Sequence, residues 1–395
     1  MSVSGRTMPY LILGLFGLYT LEFGVVGILP MIVSRFGVSV AQAGGLMGLF
    51  ALIVAVLGPF LVLVSSRFRR KRVLITALLG FSLCSMLSAF APNFASLMAL
   101  RIVPAMLHPV FFAAAFSAAV ALYAPDRAAH ATALAVVGTT LGLVLGVPLT
   151  TWVGASISYE ASFFFCAAAT ALAAFGLWLK LPDQARSGPL NFRAQLKVLR
   201  SLELWLAIAA TVLVFATMFA VYSYAAQYLK SQTGMDGQTI SLMLVIFGVG
   251  GVTGNLLVGR LLGKHLVATV VLYPLVLAAA YLVLRSVDGV SVTSLGLIVL
   301  LWGAAHTCGL VITQMWLTGA APDAHEFATS LYVSSANAGV VIGASVSGLF
   351  IDRLGMTGVI PCGLMFAAMA WLVIVWKALV FRRKSGHLSC ALPAD

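Results

Sequence analysis

Twelve times along 395 residues the chain runs apolar for about twenty residues or more, and this repetition constrains the fold more than any other feature. The runs lie near 8–33, 42–65, 73–92, 94–123, 129–154 and 160–181, then near 203–229, 237–263, 265–286, 291–320, 325–351 and 356–381. A helix rising 1.5 Å per residue needs about 20 residues to cross roughly 30 Å of hydrocarbon. Apolar residues make up 62% of the chain and charged residues 9%, against about 25% charged in ordinary globular proteins. A soluble chain has nowhere to hide that much apolar surface. The first run is too long for a signal-peptide core of roughly 7–15 residues. The expected fold class is therefore an all-α membrane protein with twelve transmembrane helices.

The charges orient the helices. A net charge of +12 suggests nucleic acid as a partner in a soluble protein. Here the basic residues fall in short clusters between apolar runs, as cytoplasmic loops do, so no nucleic acid is expected. With the N-terminus inside, eighteen Lys and Arg residues fall in inner segments, including the run from Arg67 to Arg72 and Lys377, against four outside: Arg35, Lys230, Arg285 and Arg353. This imbalance predicts that both termini are cytoplasmic. The least apolar stretch, 182–202, divides an N-terminal six-helix bundle (1–181) from a C-terminal bundle with its tail (203–395). Its part from Phe192 to Leu202 reads as a basic amphipathic helix. The halves echo each other: Gly138, Gly142 and Gly146 in the fifth run reappear as Gly339, Gly343 and Ser347 in the eleventh, at an offset of 201 residues. Two pseudo-symmetric six-helix units are the architecture of many secondary transporters. The five cysteines show no metal-ligand spacing and read as small apolar residues; no cofactor or metal is expected.

Two charges interrupt the apolar runs. Glu22 lies 14 residues after Met8, about 21 Å into the membrane. A carboxylate at that depth costs roughly 2.5–3.5 kcal/mol and marks an ion or substrate path by default; a hydrogen bond to a neighbouring helix is the plainer alternative. Arg101 reaches the same depth from the other side, so the two are expected to pair, whether for transport or for structure alone. Glycines at four-residue spacing in the fifth run strip one face for close approach by a neighbour, and Pro148 favours a kink. The two stripes are expected to meet other helices chiefly across the boundary between the halves. A membrane-embedded enzyme would need clustered acids or metal ligands, and Asp323, His325 and Glu326 are the nearest approach to one.

These segments resemble the twelve-helix drug:proton antiporters of the major facilitator superfamily. GLVLGVPLTTWVG, from Gly142 to Gly154, is similar to the antiporter motif of that family's fifth helix. LEFGVVGILP, from Leu21 to Pro30, resembles its first helix, and Arg101 matches the arginine of its fourth-helix motif. GNLLVGR, from Gly254 to Arg260, and NAGVVIGASVSGLFID, from Asn337 to Asp352, match its second half. The branch most resembled comprises bacterial efflux transporters of arabinose, purine nucleosides or drugs. Two sites depart from the pattern: Ser66 and Arg69 stand where the loop between helices 2 and 3 carries aspartate and glycine, and Pro104 and Ala105 where the fourth helix carries glutamine and glycine.

The resemblance implies alternating access by a single chain in a cell inner membrane. A small molecule would leave as protons enter, with lipid as the only other partner. Glu22 and Arg101 would carry the coupling. Tyr19, His108, Phe112, Tyr222, Tyr224, Gln227, His306, Gln314 and Asn337 would line the path, the histidines as relays or as inter-helix bonding groups. Arg69 or Arg70 would latch to Asp323 or Glu326 when the cytoplasmic side closes. Gly142, Gly146, Pro148, Gly339 and Gly343 would serve the moving seam. A sugar or nucleoside facilitator or importer on the same fold is the alternative.

Overall fold

The computed structural model describes residues 3–65, 67–124, 127–182, 196–286, 291–321 and 325–381. Among them are thirteen α-helices and no strand. In the first half, α1 spans Val3–Phe36, α2 Val40–Ser65, α3 Arg70–Ala89, α4 Phe94–Ala121, α5 Ala128–Leu141, α6 Val147–Ser156 and α7 Tyr159–Lys180. In the second, α8 spans Leu202–Tyr222, α9 Ala225–Thr233, α10 Gly237–Leu284, α11 Val292–Thr318, α12 His325–Leu354 and α13 Val359–Phe381. Eleven helical stretches are long and apolar enough to cross a membrane. One of them, α10, has 48 residues and is broken at His265 (φ −141°, ψ 58°). It is two crossings, which makes twelve and puts Val3 and Phe381, the first and last described residues, on one face, called here the terminal face.

Local chemistry sets the boundaries. Gly37, at φ +62°, turns the chain after α1, a backbone conformation that favours glycine. Asn93 and Ser96 form a reciprocal capping box at the start of α4. The fifth crossing is not one α-helix. α5 gives way to a π-turn at Gly142–Gly146 before α6 begins. Pro148 has no N–H to offer the preceding turn and its ring crowds the carbonyl of Val144, so the widened turn sits where a proline kink is expected. Between the halves, the amphipathic helix read over 192–202 is described only from Leu196, as a 3-10 turn at Leu196–Arg200.

The glycine stripes pack within each half, which corrects the expectation of a seam between halves. A Cβ on Gly138 would stand 2.6 Å from the Ile12 carbonyl, and one on Gly142 2.6 Å from Tyr19 Cβ, both on α1. Gly339 and Gly343 lie as closely on Phe215 and Ala216 of α8. Ser347 completes the second stripe by donating to the Ala220 carbonyl at 2.6 Å. Bare backbone is used here to bring paired helices into contact inside a bundle, and a sequence stripe does not say which neighbour it faces.

Contacts between the halves gather at the ends remote from the termini, here the far face. There α2 lies along α12, and α6 along the start of α10. Ser241 donates to the Pro148 carbonyl at 2.7 Å across this junction, and Gln238 reaches Ser156 at 3.3 Å. Toward the terminal face, Val56, Phe60 and Val64 of α2 and Leu256 and Leu257 of α10 are exposed. The halves are closed together at the far face.

Candidate functional site

Depth along α1 and periodicity along α4 assemble the site. Arg101 and His108 are seven residues apart, two turns on one face of α4, and that face meets α1 at Leu21 and Glu22. All three polar residues are nearly out of contact with solvent: Glu22 is 6% exposed, Arg101 4% and His108 5%.

Glu22 and Arg101 share a depth, as expected, but the pairing is different. Arg101 spends its fork on main chain: Nη1 donates to the Leu21 carbonyl at 2.6 Å and Nη2 to the Glu22 carbonyl at 2.9 Å. Its guanidinium carbon lies 4.8 Å from the centre of the Phe50 ring. The Glu22 carboxylate turns instead to His108, with Oε2 2.9 Å from Nε2. That approach lacks the in-line geometry of a hydrogen bond, and His108 Nδ1 has no partner. The reason is geometric. A guanidinium offers several coplanar N–H groups and can clamp two successive carbonyls of a neighbouring helix; the compact imidazole, two turns further along α4, is left to meet the carboxylate. The i, i+7 spacing that puts Arg101 and His108 on one face of α4 was legible in the sequence.

Chemically, the arrangement sets a carboxyl and an imidazole side by side next to a guanidinium. A carboxyl accepts or, when protonated, donates a hydrogen bond, and an imidazole can do either, so the pair has the residue types that proton exchange needs. Aromatic side chains surround it: Phe50 is edge-on to His108 at 5.6 Å, Phe112 stacks on it at 6.4 Å, and Tyr19 is 6.0 Å away. Tyr19 and Phe112 are half-buried and border the pair.

A second aromatic group surrounds His306 in the other half. Tyr222 lies 4.9 Å away, Phe247 5.3 Å and Phe219 5.7 Å, ring centre to ring centre. His306 Nδ1 has no partner. Phe219 also meets Phe23 of α1 at 5.8 Å, which joins the two aromatic groups across the halves.

The remaining candidates scatter. Asn337 donates to the Val333 carbonyl of its own helix at 3.0 Å. Gln314 is exposed, and Gln227 is half-buried with a partnerless Oε1. Tyr224 lies in the far-face junction, away from His108 and His306. Pro148 also belongs to that junction, through its carbonyl. Arg69 and Arg70 open α3, but Asp323 and the Glu326 side chain lie outside the described residues, as does Ser66. Sequence reasoning missed one buried cation. Lys377 reads as a loop charge, yet it is 3% exposed, 4.0 Å from the centre of the Trp316 ring and 4.0 Å from Glu203 Oε1. Its place near the end of an apolar run left no sign of which way it turned.

Comparison with known proteins agrees with this architecture. Residues 11–325 match the family described as Major Facilitator Superfamily, and residues 208–389 match it again. The inner membrane transport protein YdhP of Escherichia coli K12 is 30% identical over 373 residues, covering 93% of this chain and 95% of its own. YdhP of Escherichia coli O157:H7 matches equally. Among solved structures, an inward-facing, occupied bacterial homologue of the human lysosomal transporter Spinster superposes with a TM-score of 0.76 at 16% identity, covering 96% of each chain. The nucleoside transporter NupG superposes with a TM-score of 0.74 at 12% identity, covering 96% of this chain and 99% of its own. At these identities the structures speak for the fold alone.

Proposed function

The chain belongs to the major facilitator superfamily of membrane transporters, and from that premise we propose that it exports a small molecule in exchange for protons, with Glu22 as the coupling acid. The observation that carries this reading is the buried Glu22–His108 pair, 2.9 Å apart beside a guanidinium already committed to main chain. A pair built only to hold helices together would do as well with neutral partners; an ionisable acid at this depth is costly and marks an ion or substrate path by default. In this reading the terminal face is cytoplasmic, supported by the eighteen-to-four excess of basic residues. The far-face closure then corresponds to a carrier open to the cytoplasm.

The cycle follows from charge. With Glu22 ionised, Arg101 and Glu22 sum to zero; with Glu22 protonated, the cluster carries one positive charge. Solute arriving from the cytoplasm replaces the proton, and a proton from outside replaces the solute after the far face opens. The His108 imidazole, 2.9 Å from the carboxylate, keeps a polar group beside it in an otherwise apolar setting. The half-buried rings of Tyr19 and Phe112 beside the pair suit a solute with apolar surface, and the inner-membrane location is supported by the YdhP relationship.

The test is purified protein in liposomes under an imposed pH gradient. Accumulation of solute against its own gradient, lost in Glu22→Gln, is the expected result. Transport that only equilibrates the solute, whatever the pH gradient, would assign the chain to facilitated diffusion of a sugar or nucleoside instead.

A further inference from the structure

The seventh crossing is interrupted. α8 ends at Tyr222 and α9 starts at Ala225, with Ser223 and Tyr224 in a turn between them. Tyr224 has no exposed surface. Its hydroxyl donates to the Ala344 carbonyl of α12 at 2.9 Å, a bond within the second half. Its ring, however, lies on the first half. A Cβ on Gly44 of α2 would overlap the ring at Cε1, Cζ and the hydroxyl. Gly348 of α12 closes the other side: a Cβ there would stand 3.2 Å from the hydroxyl and 3.2 Å from Ala41 of α2. Two facing helices from different halves therefore leave one slot, and a tyrosine at a helix break fills it.

These contacts differ in what they require of the conformation. The hydroxyl bond joins two elements of one half and survives any rigid movement of that half. The ring-to-Gly44 contact exists only while α2 and α12 lie together. A ligand or side chain biases an equilibrium only through contacts that differ between its states, and here the ring supplies such a contact and the hydroxyl aims it. We propose that Tyr224 is a positioning residue of the transport cycle, seating in the Gly44 slot to set how firmly the far face closes. This rests on alternating access and not on proton coupling, so it stands or falls separately from the role of Glu22.

The experiment uses the full chain in intact cells with a cysteine reporter, Ser241→Cys, which is buried at the same junction, and a membrane-impermeant maleimide applied outside. The chain without the reporter gives the background. Tyr224→Ala is expected to raise reporter labelling by about tenfold, the size of a shift of roughly 1.4 kcal/mol in the closing equilibrium. Tyr224→Phe keeps the ring and is expected to label within about twofold of the parent. Gly44→Leu is expected to slow transport by about tenfold and raise labelling, because the slot is filled from the wrong side. Combining it with Tyr224→Ala should restore much of the transport. Labelling of Tyr224→Ala at the parent rate overturns the proposal, as does a Gly44→Leu defect that the second change leaves untouched. Should Gly44→Leu fail to reach the membrane, the Tyr224→Ala labelling decides alone.

Discussion

His108 and His306 occupy corresponding places in the two halves, on the fourth and tenth crossings, 198 residues apart. Each sits in an aromatic shell and each is nearly unexposed. Their partners separate them. His108 faces the carboxylate of Glu22; His306 faces only rings, with its main-chain carbonyl taking the Tyr273 hydroxyl at 3.4 Å. The offset that relates the histidines takes Arg101 to Val299, and the offset that relates the glycine stripes takes Glu22 to Ser223, at the break between α8 and α9. A duplicated unit has kept its packing in both copies. The carboxylate–imidazole pair stands in the first copy, and a helix break at the junction between halves stands in the second.

The strongest test of that division is Glu22→Gln, which should abolish pH-driven accumulation outright while downhill exchange of solute persists. A reconstituted Glu22→Gln protein that still concentrates solute would move the coupling proton to His108 or His306. Next in size are the glycine stripes, where the halves should behave alike. Gly142→Leu and Gly343→Leu each force a branched side chain into helix pairs already in backbone contact, costing about 1–3 kcal/mol. Thermal unfolding in detergent should show both variants destabilised to a similar degree; loss in one alone would mean that the two stripes are not equivalent.

The histidines should then differ. His108→Gln is expected to slow pH-driven transport by about tenfold, removing the imidazole that lies 2.9 Å from a buried acid, and to change the pH at which transport is half-maximal. His306→Gln should stay within about threefold of the parent with its pH profile unmoved. Equal shifts in both profiles would erase the proposed asymmetry. The smallest effect is expected at Lys377, whose nearest carboxylate oxygen is 4.0 Å away. Lys377→Met keeps the stem volume beside Trp316, so transport and thermal stability should change little.

Much of the architecture was already present in the order of residues. Twelve apolar runs, the basic loops and the repeat of Gly138, Gly142 and Gly146 at 201 residues define spans and internal duplication, because length against membrane thickness and small-residue spacing are properties of a single helix. Glu22 and Arg101 stood out for the same reason: a charge within an apolar run needs an explanation wherever the run packs. The sequence could not say that Arg101 clamps the carbonyls of Leu21 and Glu22, that the carboxylate goes to His108, or that the stripes face α1 and α8. Nor could it turn Tyr224 toward Gly44 or fold Lys377 inward. Each of these depends on which residues of two remote helices share a depth and a direction. Every membrane helix must satisfy its backbone internally and so is specified locally, whereas its rotation and neighbours are chosen by packing among all twelve crossings at once.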